Sequence, residues 1–162
     1  MMKEIDEQLG KSPTLVVVPV GVGSLAQSVV GHYKAAGRGQ TVVLTVEPDT
    51  AACLHTSLRN GESRQIRTNH TIMTGLDCGT VSSIAWPVLQ AGVDASLTVS
   101  DLEAHRAREI LCSLGIDAGP CGAATLAAIY RLTDTDKTEL RLDGTSTVVL
   151  LCTEGSRPYA IP

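Results

Sequence analysis

The stretch Thr14-Leu15-Val16-Val17-Val18-Pro19-Val20-Gly21-Val22-Gly23-Ser24 decides the fold. Its first seven residues are apolar or β-branched without alternation, which is the pattern of a strand covered on both faces. Pro13 and Gly21 bound that strand. Gly21-Val22-Gly23 then makes a tight turn, and a helix is expected over about residues 24–36, closing at Gly37. Strand, glycine turn and helix in this order bring free backbone N–H groups and the positive end of a helix dipole together, an arrangement that favours phosphate. Two glycines also serve simply to make a bend, and no Lys-Ser/Thr pair follows, so the turn is not a P-loop.

Outward from this stretch the same rhythm repeats. Residues 41–46 (TVVLTV) read as a second buried strand, and Asp49-Thr50 offers an N-cap for a helix over residues 51–59, stopped by Asn60-Gly61. Residues 62–69 are polar and non-periodic, and the Gly- and Thr-rich residues 71–81 suit an ordered loop. Residues 81–91 are expected to be helical and 95–99 to form a short strand. Ser100 with Glu103 three positions later makes a capping box for a helix that runs to Leu114 and closes at Gly115. Residues 121–132 read as an Ala-rich helix and 145–153 (TSTVVLLCT) as a final buried strand. Strands alternating with helices imply an α/β fold, a three-layer α/β/α sandwich with a mostly parallel sheet of about four strands. With no repeat, linker or low-complexity tract, residues 1–162 are expected to form one domain.

Composition narrows the partners. The net charge is -4 and there is no run of Lys or Arg, which argues against nucleic acid and against a basic membrane-binding surface. A small molecule or another protein is the expected partner. No stretch reaches the ~20 apolar residues that span a bilayer, and residues 1–9 are a charged amphipathic segment unlike a signal peptide, so a soluble cytoplasmic protein is expected. The chain has no Phe, and its core must be built from Val, Leu, Ile and Ala. Cys53, Cys78, Cys112, Cys121 and Cys152 are odd in number and contain no CxxC pair, which points to free thiols and to no metal site.

Two further segments carry chemical groups. Residues 71–80 (TIMTGLDCGT) hold one acid and one thiol; they form either a packed turn capped by Asp77 or the wall of a pocket. Gly119-Pro120-Cys121-Gly122-Ala123-Ala124 opens a helix of small residues, with the Cys121 thiol either a weak hydrogen-bond partner for a ligand or a buried hydrophobe. Asp77 as an acid, Cys78 as a nucleophile and His70 as a base are the candidate catalytic groups, although His70 also fits a solvated loop position. His32, His55 and His105 fall on helix faces expected to be exposed.

Three segments, VPVGVGSLA, TIMTGLDCGTVSSIAWPVL and GPCGAATLAAIYRL, occur in the order and spacing found toward the C-terminus of diaminopropionate ammonia-lyase-like proteins. Over residues 14–153 the chain resembles the C-terminal portion of a fold-type II pyridoxal-phosphate (PLP) enzyme of the tryptophan synthase beta-like superfamily. The resemblance implies that Gly21, Val22, Gly23 and Ser24 cradle the cofactor phosphate and that Cys121 faces the pyridine nitrogen as a neutral partner. Glu47 matches a position near the cofactor side of the sheet. In that family the catalytic lysine lies in an N-terminal region without counterpart here, and Lys3, Lys11, Lys34 and Lys137 match no such site.

The expectation is therefore a truncated homologue of an ammonia-lyase that does not hold PLP covalently and does not run PLP chemistry alone. Its standing as an enzyme stays open. One alternative is a repurposed cofactor-free isomerase, cyclase or lyase built on His70, Asp77, Cys78 and the glycine-turn amides. Another is a non-catalytic subunit that pairs with a full-length homologue. The apolar surface that the missing region would cover implies a homo-oligomer or a partner chain.

Overall fold

A computed structural model describes residues 1–35 and 40–162. The chain runs α1 (Met2–Leu9), β1 (Leu15–Pro19), α2 (Ser24–Tyr33), β2 (Val42–Pro48), α3 (Cys53–Asn60), a 3-10 turn (Thr74–Leu76), α4 (Trp86–Gly92), β3 (Ala95–Val99), α5 (Asp101–Ser113), α6 (Pro120–Arg131), α7 (Asp134–Glu139) and β4 (Val148–Leu150). The four strands form one parallel sheet in the order β3-β2-β1-β4, with Leu15 opposite Val42 and Val148. Each side chain of β1 is buried, as a strand between two helical layers requires. Leu15 and Val17 pack under α5 and α6, while Val16 and Val18 pack under α2, α3 and α4. Residues Leu15 to Val18 are fully buried, and each contributes about 1.5–3 kcal/mol of transfer free energy. Small residues of α6, among them Ala123, Ala124, Ala127 and Ala128, let that helix approach the sheet closely in a core without Phe.

The α/β sandwich and its parallel sheet match the expectation, and the differences lie in the ends of elements. Helix α2 ends at Tyr33, and the expected termination at Ala36 and Gly37 lies outside the described residues. Helix α3 begins at Cys53 without a cap from Asp49 or Thr50; its first free N–H groups, those of Leu54 and His55, donate instead to the carboxylate of Glu47 at 2.8 and 2.6 Å. The helix expected over residues 81–91 starts only at Trp86, because Pro87 sits in its first turn, where a missing N–H costs nothing. The last strand is shorter than the expected residues 145–153: β4 lies at one edge of the sheet and pairs with β1 over three residues only. Helix α7 was not foreseen, yet Thr133 and Asp136 make its capping box. The box at Ser100 and Glu103 has both expected hydrogen bonds.

The three histidines expected on exposed faces are engaged. His32 bonds Asp6 at 2.7 Å, His55 bonds Ser96 at 3.2 Å, and His105 bonds the Tyr159 hydroxyl at 2.8 Å. All five cysteines are free thiols. No helix of the described residues is long and apolar enough to cross a membrane.

Candidate functional site

From β1 the chain first builds the sheet to one side, through β2 to β3, and then returns through α5, α6 and α7 to lay β4 on the other side of β1. The connections that follow β1 and β4 therefore diverge, and the crevice between them is where open α/β sheets bind ligands. A cleft of ≈ 280 Å³ lies there, at the small end of the roughly 300–1,000 Å³ of ligand pockets. Gly21, Val22, Gly23 and Ser24 form one wall, Gly75 and Leu76 of the 3-10 turn the floor, and Cys121, Thr153 and Glu154 the other wall.

The glycine turn is shaped for close approach. A Cβ on Gly21 would stand 2.8 Å from the Gly75 carbonyl oxygen and 3.1 Å from the Cys78 sulfur. Gly23 has φ 98°, and a Cβ there would meet Leu89 at 2.7 Å, so it is a glycine for both reasons. The amides of Gly21, Val22, Gly23 and Ser24 donate to no acceptor among the described residues. They stand at the N-terminus of the ten-residue helix α2, whose cap has no side-chain hydrogen bond.

The opposite wall comes from the segment after β4. The Glu154 carboxylate accepts the Cys121 amide at 2.8 Å and the Arg157 Nε–H at 2.9 Å, and the Gly119 amide donates to the Glu154 carbonyl at 2.9 Å. Arg157 in turn donates to the Ile72 carbonyl. Carboxylate, α6 N-terminus and guanidinium thus tie the segment after β4 to the loop before the 3-10 turn. The Cys121 sulfur packs against Gly75, and burial followed by the neighbouring Glu154 pushes that thiol up to about 11, so Cys121 presents a neutral S–H at physiological pH. Thr153 and Glu154 belong to the site and were not singled out in the sequence. Their position directly after the last apolar run, at the end of a strand beside β1, is the signal that marks them.

The remaining candidates are dispersed. Cys78 is half-buried behind Gly21, and burial followed by the Asp77 carboxylate raises its thiol, which works against a thiolate nucleophile. Asp77 and His70 are exposed, and neither lines the cleft. Glu47 is fully buried beneath α3 and does not reach the cleft wall. A larger cavity, ≈ 540 Å³, lies at the other end of the strands against Val42 and Ala95. Its one lysine, Lys34, is paired with Asp94 at 2.6 Å. None of the four lysines lines the cleft between β1 and β4.

A parallel sheet between helical layers, with a glycine turn and a cleft at its switch point, defines an open α/β protein, and comparison with known proteins narrows the class. The family model of pyridoxal-phosphate dependent enzymes matches residues 1–154, and the chain belongs to that family. Diaminopropionate ammonia-lyase of Salmonella typhimurium is 29% identical over 171 residues, an alignment covering 94% of this chain and 42% of that protein. The biosynthetic L-threonine dehydratase of Mycobacterium leprae is 33% identical over 156 residues, covering 94% of this chain and 34% of the relative. The crystal structure of an L-serine ammonia-lyase from the fungus Rhizomucor miehei superposes with a TM-score of 0.84 at 26% identity, over 96% of this chain and 50% of that one. The chain thus spans half or less of the length of each, as a partial-length homologue of PLP-dependent ammonia-lyases and dehydratases.

The cleft suits the non-covalent parts of the family's cofactor. The four free amides match a phosphate, and the opposite side offers a pyridine ring the neutral Gly75, Cys121 and Thr153 beside a Glu154 carboxylate that is paired with Arg157. It holds no lysine for covalent attachment.

Proposed function

We propose that these residues form the phosphate-anchoring and ring-binding half of a PLP site of the ammonia-lyase type. The observation that carries this is the cleft at the sheet's switch point, where four unbonded amides of the glycine turn face the Cys121 and Thr153 wall. Gly21, Val22, Gly23 and Ser24 bind the phosphate through their N–H groups and the α2 dipole. Cys121, held by Gly75 and Glu154, positions the ring and offers its nitrogen a neutral partner. When bound, PLP supplies the electron-withdrawing ring on which elimination of ammonia from an amino acid depends. The lysine that completes such a site comes, in this reading, from polypeptide other than residues 1–162. The substrate class of the relatives, amino acids with an amino or hydroxyl group beside the α-carbon, passes to the completed site.

Titration with PLP and with inorganic phosphate, followed by thermal unfolding, tests this reading. Both ligands raise the unfolding temperature, and at a hundredfold excess over Kd the stabilisation is about 2.7 kcal/mol. Borohydride reduction followed by peptide mass spectrometry gives no lysine adduct that excess inorganic phosphate suppresses, because no lysine lines the cleft and the exposed Lys3, Lys11 and Lys137 react with the aldehyde regardless of phosphate. Gly21→Ala removes the response to both ligands, as its methyl group displaces the turn from the Gly75 carbonyl. A lysine adduct that phosphate suppresses, or no response to either ligand, would overturn the reading.

A further inference from the structure

We propose that the ≈ 540 Å³ cavity at the far end of the strands is a second binding site, for a zwitterionic α-amino acid with an apolar side chain, held by Arg141 and Glu139. It shares no lining residue with the cleft between β1 and β4, so it stands or falls apart from the phosphate reading of the glycine turn. Its volume lies within the roughly 300–1,000 Å³ of small-molecule pockets.

The backbone at Arg141 is the first observation. Helix α7 ends with the Leu142 amide on the Lys137 carbonyl at 2.8 Å and the Arg141 amide on the Thr138 carbonyl at 3.0 Å. These are the paired bonds of a Schellman stop, which puts the residue after the cap in the left-handed region and favours glycine there. That residue is Arg141, at φ 58°. Every other described residue of positive φ is a glycine, and Gly10, Gly61 and Gly115 stop α1, α3 and α5. The Cβ of an arginine is disfavoured at such a position. Its side chain lines the cavity. A backbone held in an unfavourable region that sets a charged group on a cavity wall points to a residue kept for what it binds.

The other charges of the lining are engaged. Asp94 holds Lys34 at 2.6 Å and the Val43 amide at 2.7 Å, and Asp136 accepts the Thr133 amide and hydroxyl at 2.8 and 2.6 Å. Glu139 and Arg141 remain, one of each sign, and their side chains make no hydrogen bond or ion pair among the described residues. Val42 and Leu44 of β2 and Ala95 and Leu97 of β3, which face the α6 side of the sheet, form an apolar floor with Leu132 and Leu140 above it. A zwitterion matches the two charges. Its carboxylate meets the guanidinium fork of Arg141, its ammonium meets Glu139, and its side chain covers the floor. A dianion is opposed by Glu139 and Asp136, and a plain cation leaves Arg141 unmatched.

Amide NMR of the chain titrated with L-leucine tests the site. The amides of residues 95–97 and 139–142 shift along one saturating curve, and those of residues 21–24 stay still. 4-Methylpentanoate, without the ammonium, 3-methylbutylamine, without the carboxylate, and glycine, without the apolar side chain, each bind about tenfold more weakly or worse. Glu139→Gln weakens leucine about tenfold and leaves 4-methylpentanoate unchanged. Arg141→Gly weakens leucine by a similar factor, yet unfolds at a higher urea concentration than the native chain, because glycine relieves the left-handed backbone. No saturating shift with leucine, shifts at residues 21–24 in place of the cavity, or an Arg141→Gly chain that binds leucine as the native one does would overturn the site. So would an Arg141→Gly chain less stable than the native one, since the arginine would then serve the fold.

Discussion

Gly119 shows how tightly single residues shape the cleft. A Cβ there would stand 2.5 Å from the Gly155 carbonyl oxygen and closer still to Glu154 Oε2. Gly119→Ala therefore pushes Glu154 from the Cys121 amide, and an overpacking cost of about 1–3 kcal/mol is expected in urea unfolding, together with weaker PLP binding. Glu47 makes a different prediction. Its folded pKa of about 7 lies above its ordinary 4.5, so its contribution to stability is fully present below about 4.5 and is lost as pH rises through about 7. The stability of the native chain relative to Glu47→Gln should fall between pH 5 and pH 8 by up to about 3 kcal/mol, at 1.36 kcal/mol per pKa unit. His55 opposes this: its lowered pKa withdraws stability as pH falls, and a His55→Gln background isolates the carboxyl. Gly21 and Gly23 were legible in the sequence because strand, turn and helix are contiguous there. Glu154 was not, because its contacts with Gly119 and Cys121 join residues 33 or more apart.

At the scale of the element, local signals read true where the partners are neighbours in sequence. Ser100 and Glu103 satisfy each other within one turn. Ser100→Ala should cost about 1 kcal/mol of stability, with Arg131 unable to compensate because its pair with Glu103 is exposed. Helix α3 shows the limit of such reading. Asp49 and Thr50 had the right chemistry for a cap, yet β2 runs on to Pro48 and leaves the helix to start at Cys53, within reach of Glu47. The apolar run at residues 81–91 likewise suggested a longer helix than Pro87 permits. Periodicity located these helices, and the atoms that satisfy their first N–H groups set where they begin.

For the whole molecule, the alternation of elements was enough to give the layers and the parallel sheet, because βα units have few ways to bury both faces. Strand order was not legible: nothing local says that β4 docks beside β1 rather than β3. Val22 of the cleft wall is 47% exposed and Ile84 77%, and their two segments are joined by the Ser82 amide on the Val22 carbonyl. We expect this surface to be covered by association, so light scattering should show a dimer or larger species; a monomer at high concentration would contradict it. The order of the strands also has a temporal side. Thr147 and Thr14, tied at 3.1 Å, are 133 residues apart, and the two walls of the cleft come from opposite ends of that loop. During synthesis, at about 5–20 residues per second, the glycine turn is made many seconds before its opposite wall. A ligand bound here cannot serve as a template for the growing chain; it acts as a clasp that closes once the last strand has docked, and it protects from proteolysis only molecules in which that has happened.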